Sequence, residues 1–210
     1  MKILFLHGLG QTKEAWQPTI QELKNIDSTC LEVISSKTKK QTFASISKHI
    51  EQSLQANKEP IIICGLSLGS VLALDLYFKK PTKIAGLILI APQYKIPTIL
   101  IDLQNIIFKL MPQKLFTKLA ISKKEMISLS SSMRLIDYRP KIKTIKCPVY
   151  IICGSKDWIN KKASLSLHKL LPQSKFISIL HAGHEINIDQ PQKLADVINK
   201  AYQEMINMTY

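Results

Sequence analysis

Six short runs rich in apolar residues, separated by longer amphipathic stretches, constrain the fold of this chain more than any other feature. The runs are continuous in Ile, Leu and Val, which is typical of strands covered on both faces. They lie at 2–7, 30–35, 60–65, 84–90, 148–154 and 175–180, and helical patterns lie at 43–56, 68–78, 161–171 and 191–205. The alternation predicts an α/β fold, with a parallel sheet of about six strands and helices on both faces. Asp189 is predicted to cap the last helix ahead of Pro191.

The length and composition are those of a single globular domain. The chain has 210 residues, of which 46% are hydrophobic, and single hydrophobic cores stop growing only beyond about 250 residues. No apolar run approaches the roughly 18 residues that a membrane-spanning helix needs, and the first residues lack the cleavage site of a signal peptide. We therefore expect one domain over residues 1–210 of a cytoplasmic protein without stable membrane insertion, and its oligomeric state stays open.

Residues 93–146 interrupt the alternation with helical patterns and no strand. Apolar residues recur there at offsets of three and four, which predicts amphipathic helices inserted as a cap over the sheet. Five of them are too many for a lone surface helix to bury, so we expect them to line an apolar pocket: Ile99, Leu103, Ile106, Ile107 and Leu110. The alternative is that they complete the core or form a dimer contact.

The formal net charge of +14 suggests a nucleic acid or an anionic surface as a partner. However, 27 of the 29 basic residues are Lys, whereas readers of bases and phosphates favour Arg. The lysines form small scattered groups without interleaved aromatic residues. We therefore interpret the charge as a solvated surface and expect no nucleic-acid partner.

The four cysteines predict neither a disulfide framework nor a metal site. They stand at 30, 64, 147 and 153, without a CxxC pair and without clustered His. Cys64 and Cys153 lie within apolar runs, where a free Cys behaves as a small buried hydrophobe. We expect reduced structural thiols, and we expect no metal and no cofactor.

A G-x-S-x-G motif, Gly65 to Gly69, follows the third apolar run and opens the next helix. The glycines permit a cramped turn from strand to helix that leaves the hydroxyl of Ser67 exposed at the sheet edge. The positive end of the helix behind it favours developing negative charge. A purely structural turn could have the same sequence pattern. The motif therefore indicates a nucleophilic serine only if a base lies nearby.

The best candidate for that base is His184, in a glycine-containing loop after the last run. In a parallel sheet this loop emerges at the same edge as Ser67. His181 shares the loop and is the main competitor. A histidine base needs an orienting carboxylate, and Asp157 follows the fifth run at the same edge, although a helix cap is the alternative role for it. Asp102 is the second candidate acid.

The loop His7 to Gly10 follows the first run directly. Its glycines allow the backbone to pass close to Ser67 and to point N–H groups at a substrate oxygen. We expect the amides of Leu9 and Leu68 to form an oxyanion hole, and His7 to be a structural residue of the loop.

Taken together, the segments KILFLHGLG, GLSLGS, CGSKD and HAGHEIN resemble the α/β-hydrolase superfamily, in the right order and over nearly the whole chain. The resemblance implies Ser67 as nucleophile, Asp157 as acid, His184 as base, and Leu9 and Leu68 as oxyanion donors. Two features depart from the family pattern. The family's first two strands are missing, and Ser70 stands where many relatives have Gly.

The resemblance implies a serine hydrolase that cleaves a carboxylic ester or thioester of a small apolar acyl group, without metal or cofactor. Three alternatives stay open at this point. The triad could run non-hydrolytic chemistry, as in a lyase or a perhydrolase. The chain could instead be a binding protein with a disused pocket, or a basic nucleic-acid binder.

Overall fold

The computed structural model describes residues 1–34, 41–55, 57, 59–116 and 121–208. The strands are β1 Ile3–Leu6, β2 Ser28–Leu31, β3 Ile61–Leu66, β4 Ile84–Ile90, β5 Val149–Gly154 and β6 Lys175–Ile179. The α-helices are α1 Gln17–Ile20, α2 Phe43–Gln55, α3 Leu68–Lys79, α4 Thr98–Leu110, α5 Lys123–Ser132, α6 Arg139–Ile142, α7 Trp158–Leu170, α8 Ile186–Asp189 and α9 Pro191–Asn207.

The six strands form one parallel sheet in the order β2-β1-β3-β4-β5-β6. The connection after β1 leads to β2, toward one edge of the sheet, and the connection after β3 leads to β4, toward the other edge. The connections therefore diverge between β1 and β3. Such a switch point leaves a crevice at the carboxyl edge of the sheet, where ligands bind in open α/β folds. The sheet therefore places the loop after β1 beside the turn after β3.

Helices cover both faces of the sheet, which is why the strands are continuously apolar. Ile61 and Ile63 of β3 belong to a core that packs under α2, α3 and α7. Ile62, Cys64 and Leu66 belong to a second core under α9. The predicted fold, a parallel sheet of about six strands with helices on both faces, is confirmed.

The turn from β3 into α3 is very closely packed. A Cβ atom on Gly65 would lie 2.3 Å from the carbonyl carbon and oxygen of Gly69, and one on Gly69 would lie 2.1 Å from the carbonyl oxygen of Leu6. Neither position can accept a side chain without moving backbone atoms. The two glycines therefore let the turn rest directly on β1.

Ser70, which departs from the family pattern, stabilises this turn through buried hydrogen bonds. Its buried hydroxyl lies 2.5 Å from the carbonyl oxygen of Gly65 and 2.9 Å from that of Ile90, and it accepts a 2.9 Å hydrogen bond from the Ile90 N–H. The side chain thus links β3, α3 and the end of β4. An alanine at position 70 would leave a buried backbone donor without this partner, which costs about 1–3 kcal/mol.

The second strand differs from its predicted position. The apolar run at 30–35 predicts a strand there, but β2 spans Ser28–Leu31. Val33 and Ile34 are buried without being in a strand, and residue 35 lies outside the described residues. The Val33 N–H is bonded to Nε2 of His7 at 2.9 Å instead of to a neighbouring strand. The run therefore overlaps β2 at Cys30 and Leu31, which are half-buried, while Val33 and Ile34 are buried without strand pairing.

The cap predicted for the last helix is also wrong. Gln190, rather than Asp189, occupies the N-cap position of α9, and it makes no side-chain capping bond. The Asp189 carboxylate instead accepts a 2.6 Å hydrogen bond from the Gly183 N–H. This residue stabilises the preceding loop, which leads into His184.

Between β4 and β5 the described residues contain α4, α5 and α6 and no strand, as predicted for 93–146. The prediction for the apolar face of α4 is wrong, because its five residues have exposed fractions between 48% and 80%. Among the described side chains of α4, the buried ones are Ile101 and Asn105, on the opposite side of the helix. Among the described helices, none is both long and apolar enough to cross a membrane.

Candidate active site

A cavity of about 260 Å³ opens at the carboxyl edge of the sheet, above the turn after β3. Ser67, Leu68, Leu9 and His184 all line it. Asp157 is buried beside His184 and outside the cavity lining. The structure therefore brings together the five residues that the sequence singled out, from four separate loops.

Ser67 occupies a strained position between strand and helix. Its φ is 53° and its ψ is −110°, so a residue with a Cβ atom adopts a backbone region that favours glycine. The Ser67 N–H donates to the carbonyl oxygen of Ile90 at 2.9 Å, which holds the turn against β4. The side chain is partly exposed to the cavity at the N-terminus of α3, where the helix dipole favours negative charge.

The ring of His184 is held by Asp157. The distance from its Nδ1 to Oδ2 of Asp157 is 2.7 Å. Because a carboxylate only accepts hydrogen bonds, Nδ1 is the nitrogen that donates, and the lone pair of a neutral ring then lies on Nε2. His184 is 40% exposed and Asp157 is 5% exposed, so the pair joins a buried carboxylate to a ring in the open cavity.

Asp157 serves two structural purposes at once. Its Oδ1 accepts the Asn160 N–H at 3.2 Å and so caps α7, while its Oδ2 binds His184. Burial by itself raises the pKa of the Asp157 carboxyl, but the hydrogen bonds from His184 and Asn160 outweigh burial and hold the pKa below its usual value. The carboxyl is therefore ionised at neutral pH.

Asn160 is a site residue that the sequence analysis missed. Its Nδ2 donates to both carboxylate oxygens of Asp157, at 2.9 and 3.0 Å. Its Oδ1 accepts from Nε2 of Gln93 at 2.8 Å, which connects the loop after β4 to α7. The only available signal was a polar residue three positions after a candidate cap, and that spacing is common at helix starts without any site.

Backbone hydrogen bonds fix the loop of Asp157 against the loop of His184. The Ser155 N–H donates to the Ile179 carbonyl and the Lys156 N–H donates to the Ala182 carbonyl, both at 2.9 Å. These bonds continue the pairing of β5 with β6 beyond the strands. Backbone bonds therefore set the relative position of the two loops, together with the bond from the His181 N–H to Oγ of Ser155 at 3.0 Å.

The N–H groups of Leu9 and Leu68 are available to donate hydrogen bonds to a substrate oxygen. Leu68 is the first residue of α3, whose N–H has no partner within the helix. Among the described residues, neither of the two N–H groups has an assigned acceptor. The two residues lie on the two sides of the switch point and line the same cavity.

Gln11 connects the loop after β1 to the residues that follow His184. Its Nε2 donates to Glu185 at 2.9 Å and to Asn187 at 3.2 Å, and its Oε1 accepts the Gly8 N–H at 3.4 Å. Asn187 and Gln11 are both buried. The sequence carried no motif for this network, because its partners lie more than 170 positions apart.

The competing histidine and acid lie elsewhere. His181 is exposed and does not line the cavity, while Asp102 pairs with Arg134 at 2.9 Å on the surface of α4. His7 is fully buried and bonded through its ring to Gly8, Glu32 and Val33, as expected of a structural residue.

The four cysteines are free thiols with high pKa values. Burial raises the pKa of Cys153 to about 11 and the pKa of Cys30 and Cys147 to about 12, and it raises that of Cys64 well above its usual value. A thiol that stays protonated is a poor nucleophile. Across the described residues, no group of three or more His, Cys, Asp or Glu side chains could hold a metal ion.

Comparison with known proteins agrees with this geometry. A family of α/β-hydrolases described as "Serine aminopeptidase, S33" matches residues 37–141, which is half of the chain. The chain belongs to this α/β-hydrolase family. The "Putative carbamate hydrolase RutD" of Escherichia coli is 31% identical over 71 residues, which cover 33% of this α/β-hydrolase and 27% of that protein.

Two solved structures share the fold over nearly their whole length. MenH from S. aureus superposes with a TM-score of 0.82 at 18% identity, covering 98% of this α/β-hydrolase and 94% of MenH. A thermophilic esterase from Thermogutta terrifontis superposes with a TM-score of 0.79 at 17% identity, covering 98% of this α/β-hydrolase and 90% of the esterase. At these identities the similarity establishes the fold alone.

The lowered pKa of Asp157 predicts how acid destabilises the protein. A carboxyl whose pKa is lower in the folded than in the unfolded state stabilises the fold above its unfolded pKa of about 4, and this contribution is lost as pH falls through the folded value. The Asp157→Asn variant lacks this titration. We expect its free energy of unfolding, measured by urea denaturation from pH 6 to pH 3, to fall less with acidification than that of the wild type.

Asp27→Asn is the matched control, because Asp27 is 72% exposed at a 3.8 Å distance from Lys2. Its curve should stay parallel to the wild-type curve over the same pH range. If the Asp157→Asn curve also ran parallel to the wild type, the hydrogen bonds of the buried carboxylate would not be those described above.

Proposed function

We propose that this protein is a serine hydrolase that cleaves a carboxylic ester or thioester of a small apolar acyl group through an acyl-enzyme on Ser67. The observation that carries the proposal is the shared cavity of Ser67 and His184, with Nδ1 of His184 held 2.7 Å from a buried, ionised Asp157. A serine hydroxyl is inert at neutral pH without such a base.

In the proposed mechanism, Nε2 of His184 takes the proton of the Ser67 hydroxyl as its oxygen attacks the substrate carbonyl. The imidazolium that forms is stabilised by Asp157 and returns the proton to the leaving alcohol or thiol. Water then enters, His184 deprotonates it, and attack on the acyl-enzyme releases the carboxylic acid and regenerates Ser67. Asn160 keeps the carboxylate aimed at the ring during both steps.

The N–H groups of Leu9 and Leu68 are the proposed oxyanion donors. Both line the cavity, and the Leu68 N–H lies at the positive end of α3. Donors aimed at the developing oxyanion typically supply about 2.7–4 kcal/mol each. The Gln11 network holds the loop of Leu9 in place through the Gly8 N–H.

The lining of the cavity favours an uncharged apolar acyl group. Aliphatic side chains form most of it, with a few amide and hydroxyl groups between them. Its 260 Å³ is slightly less than the roughly 300–1,000 Å³ of typical ligand pockets. We infer that residues 93–146 act as a cap here, since they supply these lining residues: Gln93, Ile96, Pro97, Ile101, Gln104, Ser130 and Met133.

The same lining argues against removal of N-terminal amino acids, the activity for which the family is named. An enzyme that binds a free α-amine needs a carboxylate to pair with the buried charge. Among the described residues that line the cavity, none is Asp or Glu. An ester or thioester without a charge on its acyl part fits this cavity better.

The triad predicts a strongly non-additive loss of activity. Ser67→Ala and His184→Ala should each lower kcat for p-nitrophenyl butyrate by about 10⁴-fold or more, and the double variant should lose little more, because the residues act as a unit. His181→Asn is the control, since that exposed residue has a φ of 66°, which Asn tolerates. Its kcat should stay near the wild-type value. Activity retained by Ser67→Ala would contradict the proposal.

The cavity predicts the preference for acyl length. Each methylene buried in an apolar site contributes about 0.8 kcal/mol, or roughly a fourfold gain in kcat/KM. We expect kcat/KM for p-nitrophenyl esters to rise from acetyl to butyryl and to fall at octanoyl, because the cavity is small.

Met133→Ala, which enlarges the cavity, should shift this optimum toward longer chains. Ile107→Ala is the matched control, because that side chain is 48% exposed and lies outside the cavity lining. A profile that is best for acetyl in all three proteins would show that the cavity does not bind the acyl group.

A further inference from the structure

The outer side of α4 exposes five large apolar side chains. At 3.6 residues per turn they fall within an arc of about 100° and extend over about 17 Å of the helix. Their exposed fractions range from 48% to 80%. We call this surface the α4 stripe; it consists of Ile99, Leu103, Ile106, Ile107 and Leu110.

A second exposed apolar surface borders the cavity of the candidate active site, which the α4 stripe does not line. Trp158 and Ile159 begin α7 and are 82% and 75% exposed, and Ile159 lines the cavity together with Pro97 from the start of α4. The hydrogen bond from Gln93 to Asn160 joins the loop before α4 to α7. Clusters of large exposed apolar side chains are typical of surfaces that contact another molecule or a membrane.

Residues 93–146, which include α4, carry most of the net charge of the protein, and part of that charge lies beside the α4 stripe. Residues 93–146 contain eleven Lys and Arg and three Asp and Glu, which gives +8 of the net +14 on a quarter of the chain. Asp102 pairs with Arg134 and Asp137 pairs with Arg139, so these two carboxylates neutralise arginines and not lysines. Lys109, at the end of α4, is exposed beside the stripe, and Nζ of Lys123 donates to the carbonyl oxygens of Lys109 and Met111 at 2.5 and 2.7 Å. Lys141 and Lys146 lie instead at the end of α3, beside Phe78 and Tyr77.

We propose that the α4 stripe is a docking surface for an anionic lipid bilayer, on which the protein binds peripherally. A helix with an apolar face flanked by lysines lies in the plane of a membrane interface, and its apolar side chains enter the boundary between headgroups and acyl chains. Each lysine near an anionic leaflet adds to the attraction. Positive charge next to exposed aliphatic side chains matches both properties of such a surface.

The positive charge also favours a lipid bilayer over a second copy of the protein or a nucleic acid as the occupant of the α4 stripe. A symmetric dimer through the α4 stripe would bring Lys109 and Lys123 of the two copies close together, which opposes association. A nucleic acid would satisfy the charge and leave the aliphatic side chains in water. An anionic bilayer both attracts the positive charge and covers the aliphatic side chains.

The experiment is cosedimentation of the full-length protein with vesicles of phosphatidylcholine alone and of phosphatidylcholine with phosphatidylglycerol at 7:3, at low and high salt. We expect binding to the anionic vesicles, little binding to the zwitterionic ones, and a loss of binding at high salt. The double variant Leu103→Gln, Ile107→Gln should bind the anionic vesicles roughly tenfold less or weaker still.

The matched control is Leu165→Gln, Met208→Gln, which removes two exposed apolar side chains elsewhere. Met208 lies with Pro60 and Ile84 at the amino edge of the sheet. The control should bind like the wild type. Wild-type protein that fails to bind anionic vesicles, or a stripe variant that binds as well as the wild type, would overturn the proposal. So would sedimentation equilibrium showing a lipid-free dimer that the stripe variant dissociates, since the occupant would then be a second copy.

Discussion

The contact between the turn after β3 and the backbone of β1 is the constraint on which the rest of the site depends. A serine at φ 53° costs about 1–3 kcal/mol of backbone strain and persists only where its surroundings hold it there. Here Gly69 lies against the carbonyl of Leu6, and the Ser67 N–H and the Ser70 hydroxyl both bind the end of β4. A side chain at Gly69 or a loss of these bonds would let the turn relax and carry Ser67 away from the cavity.

The rest of the site follows from strand order. Because the connections diverge between β1 and β3, the loop of Leu9 and the turn of Ser67 share a crevice. The loops after β5 and β6 deliver Asp157 and His184 to the same edge, and backbone bonds between these loops fix their spacing. The helices of residues 93–146 then close the crevice into a cavity, with one side of α4 toward it and the other toward solvent.

Much of this arrangement could be predicted because it is local. Continuous apolar runs reveal strands buried on both faces, and a glycine on each side of a serine reveals a cramped turn. Long-range partners could not be predicted in this way. Nothing near Gln11 announces Asn187, and nothing near Gln93 announces Asn160, because those contacts exist only after the loops have met.

Two of the three wrong predictions have the same physical origin. The run at 30–35 predicts a strand because most of its residues are apolar, yet the backbone N–H of Val33 donates to His7 and β2 ends at Leu31. The apolar face of α4 was expected to line the pocket, but α4 turns Ile101 inward and leaves the stripe exposed. Hydrophobicity predicts which side chains tend to avoid water, and it specifies neither the strand pairing of a buried segment nor the direction that a helix face takes.

The central claim is that the structure makes Ser67 a nucleophile. The most direct measurement is reaction of the folded protein with a fluorophosphonate, followed by peptide mass spectrometry to locate the adduct. The account predicts one adduct per chain, on Ser67, formed much more slowly in His184→Ala although its serine is unchanged. A folded protein that forms no adduct at Ser67, or one that labels equally fast without His184, would contradict it.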